Sequence, residues 1–308
     1  MNEKHLQYVL AVLSEGSMTG AAKKLYISQP SLSQAIKAAE TGLGAPIFDR
    51  TADPMTLTPA GRLYVEAARQ ISAINRNLAG QVEELKHEAS GTIRFGISVQ
   101  RAMEILPDVY PRFTERFPHV SLELSEQGSA DLERSVLEGN VTIACMTTSP
   151  RREELHYELL EEEKPVLLVN RQCDLARRIP PGTPIDILEA EHETFICSRP
   201  GHSVRALQNS LFASREMTPR IGLETISIEV GKRVVASGKA VMICPDSYIL
   251  EEHGADSLYV YPLLGVAAPR HFYVCYRKDL YLTGYMKEFL ELLKNSLEKK
   301  TRSGNQEP

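Results

Sequence analysis

From Thr58 to Glu88 the chain carries an unbroken helical stripe, with Ala67, Ile71, Ile74, Leu78, Val82 and Leu85 recurring at about one apolar residue per turn. Thr58 is suited to cap this helix, and Pro59 to its first position, where a missing N–H costs nothing. At about 1.5 Å per residue the helix spans roughly 45 Å. A small domain cannot cover so long a stripe. The expected cover is the same helix from a second chain, giving a two-helix linker; the alternative is packing back onto its own chain. The stripe thus separates a front third from the remaining two thirds.

In the front third, Leu6, Val9, Leu10 and Leu13 follow the i, i+3, i+4, i+7 rule and predict a first helix ending near "SEGS". Ser17 then caps a second helix, which carries the small pair Ala21 and Ala22 and stops at the turn "LYIS". Ser28 caps a third helix with Gln29 and Pro30 in its first turn and Leu32, Ala35, Ile36 and Ala39 facing inward. Its opposite face shows Gln29, Pro30, Ser33, Gln34 and Lys37. Such amide and hydroxyl groups can read base edges, and the lysine can meet a phosphate; an ordinary solvated face is the competing reading. "TADP" between two short extended segments predicts a hairpin, a wing beside the third helix. Arg50 at its base can reach a phosphate or the minor groove, or pair with Asp49 or Glu40.

Hydrophobic residues form 43% of the 308 and charged residues 24%, which excludes an extended disordered or collagen-like chain. No apolar run approaches the roughly 18 residues of a membrane span, and the amphipathic start is unlike a signal peptide, so a soluble, cytoplasmic protein without membrane contact is expected. Five scattered cysteines, none in C-x-x-C, indicate neither a disulfide framework nor a zinc knuckle; Cys145 and Cys244 sit in apolar runs as core. No metal site and no cofactor are expected. The net charge is −5, yet residues 1–88 hold nine Lys/Arg against nine Asp/Glu, so the deficit lies wholly behind them. DNA contact by a neutral front third must rest on a few placed groups or on several copies of the chain.

"GSMTGAAKKLYISQPSLSQAIKAAETGLGAPIFDR" followed by "LTPAGRLY" resembles the winged helix-turn-helix of the LysR-type transcriptional regulators. The resemblance covers the whole front third. It rests on Ala21-Ala22, Leu25, Ser28-Gln29-Pro30, Ser33, Ile36, Glu40, Leu43-Gly44, Phe48, Arg50 and Leu57-Thr58 in order. It implies that Gln29, Pro30, Ser33 and Gln34 lie in the major groove and Arg50 in the wing, with Ser28, Ser31 and Lys37 also among the DNA-binding residues. Gln34 and Ala35 stand where the family usually shows Arg and Gln, which removes a cation from that face. The implied partners are double-stranded DNA carrying an inverted repeat, a small-molecule effector, further copies of the chain (a homodimer, then a homotetramer) and RNA polymerase.

Residues 91–300 alternate strand-like and helix-like runs. "TIRFGI", a helix from Met103 to Phe117, "VSLELS", a helix from Ala130 to Gly139 and "VTIACM" make one βαβαβ unit. "PVLLVN", "TFICS", "RIGLET" and "KAVMICP" with their helices make a second, and "HFYVCYR" and a final helix return to the first. Two such lobes, with crossings near "CMTTSP" and "YVYPLL", resemble the family's effector domain, shaped like a periplasmic solute-binding protein. Thr142 and Lys239-Ala240 depart from the usual aspartate and Leu-Gly pair. The expected fold is therefore α+β and multidomain: a winged helix-turn-helix over 1–58, a linker helix over 59–89 and a two-lobed α/β effector domain over 90–308. Lobe I takes about 90–160 and 266–300, and lobe II about 161–265.

A ligand in this architecture lies between the lobes, where strand ends and helix N-termini converge. The residues expected to bind it are Ser98, Val99, Gln100, Ser129, Ser198, Arg199, His202 and Thr225. Neutral donors with Arg199 and His202 favour a small organic acid or other anion; Ser129 and Thr225 equally suit helix capping, and His202 a plain surface position. No catalytic residue is expected. "GISVQ" lacks the second glycine of G-x-S-x-G, "GLG" follows a helix without a third glycine, and no H-E-x-x-H, P-loop or Rossmann string occurs. Peroxide-sensing members of the family carry a cysteine after a Gly-His pair in the second lobe, where this chain has Ser203. The alternatives to an anion-responsive regulator are a thiol-based redox sensor of the same family and a small-molecule receptor without DNA readout.

Overall fold

The computed structural model describes residues 3–85, 90–249, 258–265 and 270–304. The chain forms two compact units, residues 1–88 and 89–308.

In the front unit, α1 (Glu3–Glu15), α2 (Met18–Lys24) and α3 (Gln29–Leu43) precede a two-stranded hairpin, β1 (Phe48–Asp49) and β2 (Thr56–Leu57), and then α4 (Pro59–Leu85). The predicted caps form: Ser17 Oγ accepts from the Gly20 amide at 3.1 Å, and Thr58 Oγ1 from that of Gly61 at 2.9 Å. The core gathers Leu6, Val9, Val12, Ala21, Ala22, Leu32, Ile36, Phe48 and Val65. The buried face of α1 centres on Val9 and Val12, with Leu10 and Leu13 only half-buried, because α2, α3 and α4 enclose it from several sides. Gly61 is dictated by close approach. A Cβ there would meet the Ile47 carbonyl oxygen at 2.1 Å, so only glycine lets α4 start against the wing. The stripe on α4 is exposed within this chain, at 41% for Ile71, 63% for Ile74, 58% for Leu78 and 40% for Val82. The Leu85 side chain and the expected last turn to Glu88 lie outside the described residues.

The rear unit has two five-stranded mixed sheets. The first contains β3 (Gly91–Ile97), β4 (Val120–Glu126), β5 (Ile143–Thr147), β6 (Leu155–Glu163) and β12 (Arg270–Arg277), in the order β4-β3-β5-β12-β6. It packs against α5 (Val99–Arg116), α6 (Ser129–Leu137) and the closing helix α10 (Gly284–Gly304). The second contains β7 (Pro165–Asn170), β8 (Thr194–Ser198), β9 (Arg220–Thr225), β10 (Val241–Pro245) and β11 (Leu258–Pro262), in the order β11-β7-β10-β8-β9. Its helices are α7 (Asp174–Arg178), α8 (Ser203–Ser214) and α9 (Ile228–Ser237). Phe289 of α10 meets Phe95 and Phe113 edge-on at 5.0 and 5.1 Å in the first lobe's core; Phe195 meets Phe212 at 5.1 Å in the second.

Two local expectations are corrected. α5 begins at Val99 rather than Met103, so Val99 and Gln100 are helical rather than loop residues. "CMTTSP" is not a crossing. The chain turns there into β6 of the same sheet and first passes to the second sheet at Glu163-Lys164-Pro165, between β6 and β7. The return follows β11, and its residues 266–269, which open the expected second segment of lobe I, lie outside the described residues.

Candidate functional site

Two places in the chain bring the predicted residues together. In the front unit, Ser28 Oγ accepts from the Ser31 amide at 3.3 Å and lies 2.7 Å from Ser31 Oγ, which starts α3 with both hydroxyls occupied. Gln29, Pro30, Gln34 and Lys37 are exposed on one side of α3 and Ser33 is half-buried, while Leu32, Ile36 and Ala39 are buried. Gln29, Gln34 and Lys37 have no side-chain hydrogen bond among the described residues, so their polar ends are available. Arg50 at the wing's base pairs with Glu40 at 2.9 Å, one of the two acids named for it. Glu40 also accepts from the Ile47 amide at 2.9 Å and so ties α3 to the wing. Arg50 remains 53% exposed, and such pairs are worth little.

In the rear unit a cavity of about 910 Å³ opens between the two sheets. Ser98, Val99, Gln100, Ser129, Ser198 and His202 all line it; Arg199 and Thr225 do not. The reason lies in the β8–β9 ladder: the Arg199 amide donates to the Thr225 carbonyl at 3.0 Å, which leaves the Arg199 side chain out in solvent. The Thr225 hydroxyl accepts from the Ser227 amide at 3.1 Å, and Ser227, not Thr225, caps α9. Nor is Ser129 a cap, since Gly128 holds that position for α6. The guanidinium groups that do reach the cavity belong to Arg151 and Arg205. Arg205 is occupied by Glu224, by the Ser198 carbonyl at 2.8 Å and by Asn209 at 2.8 Å, whereas Arg151 is exposed and has no partner among the described residues.

Three helices, α5, α6 and α8, start at the cavity from Ser98, Gly128 and His202, and none of these residues caps its helix with a side chain. Free first-turn N–H groups and the helix dipole make each start favourable for negative charge. Ser198 is 1% exposed with an unpartnered Oγ, and Gln100 is 7% exposed with an unpartnered Nε2, one from each lobe. Buried polar atoms without partners are uncommon and costly, so these two await hydrogen bonds. Val204, Ile226, Ile228, Tyr248 and Phe272 supply apolar wall, while Glu126, Asp131 and Glu133 bring acceptors.

Behind this cavity lies a group that sequence reasoning missed. Arg101, wholly buried, pairs with Glu104 at 2.7 Å and with Glu161, and its guanidinium stands 4.0 Å from the ring centre of Phe272. Burial alone would lower its pKa, but the surrounding Glu104, Glu161 and Glu163 carboxylates hold it above the ordinary arginine value. Glu163 at the end of β6 pairs with Arg270 at the start of β12 at 3.0 Å. Arg270 also donates to the Ser203 carbonyl at 2.8 Å, joining both crossing segments to the first turn of α8. The five cysteines are free and buried, and burial pushes their thiols up, to about 11 for Cys197 and about 12 for Cys173, Cys244 and Cys275. Among the described residues there is no metal-binding group of His, Cys, Asp or Glu, and no helix is long and apolar enough to cross a membrane.

A winged helix-turn-helix followed by a two-lobed α/β unit with a polar cleft defines the class of two-part bacterial regulators. Residues 4–62 match the family model of the bacterial regulatory helix-turn-helix protein, lysR family, and residues 86–298 that of the LysR substrate binding domain. The chain therefore belongs to the LysR family, as a DNA-binding transcriptional regulator with an effector-binding domain. It is 27% identical over 315 residues to the uncharacterised HTH-type transcriptional regulator YcgK of Bacillus subtilis (strain 168), covering 96% of this chain and 95% of that one. Among solved structures it resembles a full-length OxyR variant from Pseudomonas aeruginosa, with a TM-score of 0.70 at 20% identity over 97% of this chain and 95% of that one. It also resembles full-length CbnR in complex with its target DNA, with a TM-score of 0.59 at 20% identity over 96% and 100%.

Proposed function

We propose that this regulator responds to a small organic acid held between its lobes. The observation that carries this reading is the convergence on one cavity of three helix starts without side-chain caps, together with two buried, unpartnered polar side chains from opposite lobes, Gln100 and Ser198. The carboxylate meets the helix starts of α5, α6 and α8, with Arg151 as the available cation in place of Arg199, and Glu126 accepts from a hydroxyl or ammonium on the same ligand. Arg199 and Thr225 act indirectly, through the ladder that sets where Ser198 lies.

At the DNA, Gln29, Pro30, Ser33 and Gln34 of α3 read base edges, while Ser28, Ser31, Lys37 and Arg50 hold the backbone. Two chains pair along the exposed stripe of α4, through Ile71, Ile74, Leu78 and Val82, and set two copies of α3 on an inverted repeat. Exposed apolar groups on the edge strand β9 and on α9, Ile221, Leu223, Val230 and Val234, support a further self-contact that builds the tetramer. The ligand shifts the arrangement of dimers by as much as its affinity differs between the two arrangements, and so changes access of RNA polymerase to the promoter. Buried thiols with raised pKa values, and Ser203 after Gly201-His202, speak against thiol sensing.

The test is footprinting on genomic fragments retained by the purified protein, with and without pooled small organic acids, and calorimetry with the acids and their neutral amides. The expected result is an interrupted inverted repeat whose protection shortens or shifts with acids alone. Binding confined to cations or uncharged apolar compounds would overturn the ligand class.

A further inference from the structure

The turn between α2 and α3 contains a residue that the fold itself does not want. Helix α2 closes with the Ile27 amide donating to the Ala22 carbonyl at 3.1 Å and the Tyr26 amide to that of Lys23 at 3.2 Å. This double closure requires a left-handed conformation at the residue between, a position held most often by glycine. Here it is Tyr26, with φ +54°. A large side chain in that conformation is strained and calls for explanation.

Packing supplies none. Leu25 and Ile27 on either side join the front core, but Tyr26 is 96% exposed and its hydroxyl has no hydrogen bond among the described residues. The ring therefore adds nothing to the fold while its backbone opposes it. Strain without a structural return is characteristic of residues kept for binding.

Its position identifies the partner. Tyr26 stands two residues before the Ser28 cap and three before Gln29, and two after Lys24, which with the exposed Lys23 ends α2. In a helix-turn-helix the first helix crosses the sugar–phosphate backbone and the second enters the major groove, so the turn joining them lies at the groove's rim. The front third is electrically neutral, and Lys24 is already held by Glu15 at 2.7 Å, so the few cations on this face leave a share of the backbone affinity to well-placed uncharged donors. A phenol is such a donor.

Resting on the reading of α3 as the groove helix, we propose that Tyr26 is a DNA-backbone contact, its ring laid against deoxyribose and its hydroxyl donating to a phosphate oxygen at the rim of the groove. It adds affinity without reading sequence, and the strain at residue 26 is the cost of presenting the ring outward.

The experiment uses the full chain, the variants Tyr26→Gly, Tyr26→Phe and Gln29→Ala, a duplex selected by the wild-type protein from a random-sequence pool, and an unrelated duplex. For Tyr26→Gly the expected result is a rise of about 4 °C in the unfolding midpoint of the front unit. Its affinity falls roughly tenfold on both duplexes alike, leaving their ratio unchanged. Tyr26→Phe leaves the midpoint in place and loses about threefold on both, the share of the hydroxyl. Gln29→Ala lowers the ratio instead, marking base reading. Unchanged affinity in Tyr26→Gly overturns the contact, a lowered midpoint overturns the strain, and a loss confined to the selected duplex overturns the backbone assignment. A wild-type chain that selects no duplex overturns the reading of α3 and Tyr26 with it.

Discussion

The order β4-β3-β5-β12-β6 in one lobe and β9-β8-β10-β7-β11 in the other describe the same sheet twice: three parallel strands, then one antiparallel, then an outer strand antiparallel to it. What is buried in them differs. The second lobe ties its helices to its sheet largely with neutral amides, the buried Lys232 of α9, paired with Glu229 at 3.1 Å, being the charged exception. Gln208 donates to the Ile243 carbonyl and accepts from the Ser198 amide, both at 2.9 Å, and Asn170 donates to the Val235 and Ala236 carbonyls, also at 2.9 Å. The first lobe and the crossing between lobes use charge, in Arg101 with Glu104 and Glu161 and in Glu163 with Arg270. A neutral amide that satisfies two backbone groups holds geometry at any pH. A buried ion pair holds it only while both partners are present and ionised.

The largest effect separating these two chemistries comes from orphaning a charge. Glu163→Ala leaves the largely buried Arg270 guanidinium without its carboxylate partner and is expected to destabilise the rear unit by about 3–5 kcal/mol in urea unfolding, whereas replacing both by leucine recovers most of that loss. Gln208→Leu is next, at about 1–3 kcal/mol, because two buried backbone groups lose their partner; its cost stays constant with pH. A smaller contrast is in the sign of the pH response. Burial pushes the Glu161 carboxyl above the usual range despite Arg101, so its contribution to stability falls as pH rises from the ordinary carboxylate value through the raised one. Burial would also raise Glu229 in α9, but Lys232 and Arg233 hold it below the usual range, so its stabilisation is present above the ordinary value and is lost as pH falls through the lowered one. Hydrogen exchange on mild acidification should therefore show α9 losing protection relative to β6. The smallest effect is outside both lobes: Arg50→Met breaks only an exposed pair and should change stability by less than about 1 kcal/mol, leaving the Glu40–Ile47 tie intact.

The caps, the wing and most strands were legible because each is written locally, in a Ser before a helix, a Pro at its first position, or a run such as "PVLLVN". β6 was not, because "LHYELLEEE" alternates weakly and ends in three acids, which reads as a solvated segment. Only a neighbouring strand that brings Arg270 opposite Glu163 turns that acid run into buried structure. The start of α5 was misjudged by four residues, since Val99-Gln100-Arg101 carries no apolar periodicity and its burial comes from the other elements around it. The cavity was legible as a set of loops but not as a set of side chains. Which of Arg151, Arg199 and Arg205 points inward depends on the β8–β9 ladder and on Glu224, and no local pattern records either.

The strand β12 and helix α10 have a consequence for how the chain is made. Lobe II is encoded without interruption, from Pro165 in β7 to Pro262 in β11, whereas lobe I waits for Arg270 and everything after it. On the ribosome the second lobe can close first, while β5 and β6 of the first lack the strand that sits between them and Phe95 and Phe113 lack Phe289. The lobe that begins first is finished last, and a chain released before about residue 290 would carry a complete lobe II beside an open, apolar and aggregation-prone half-sheet.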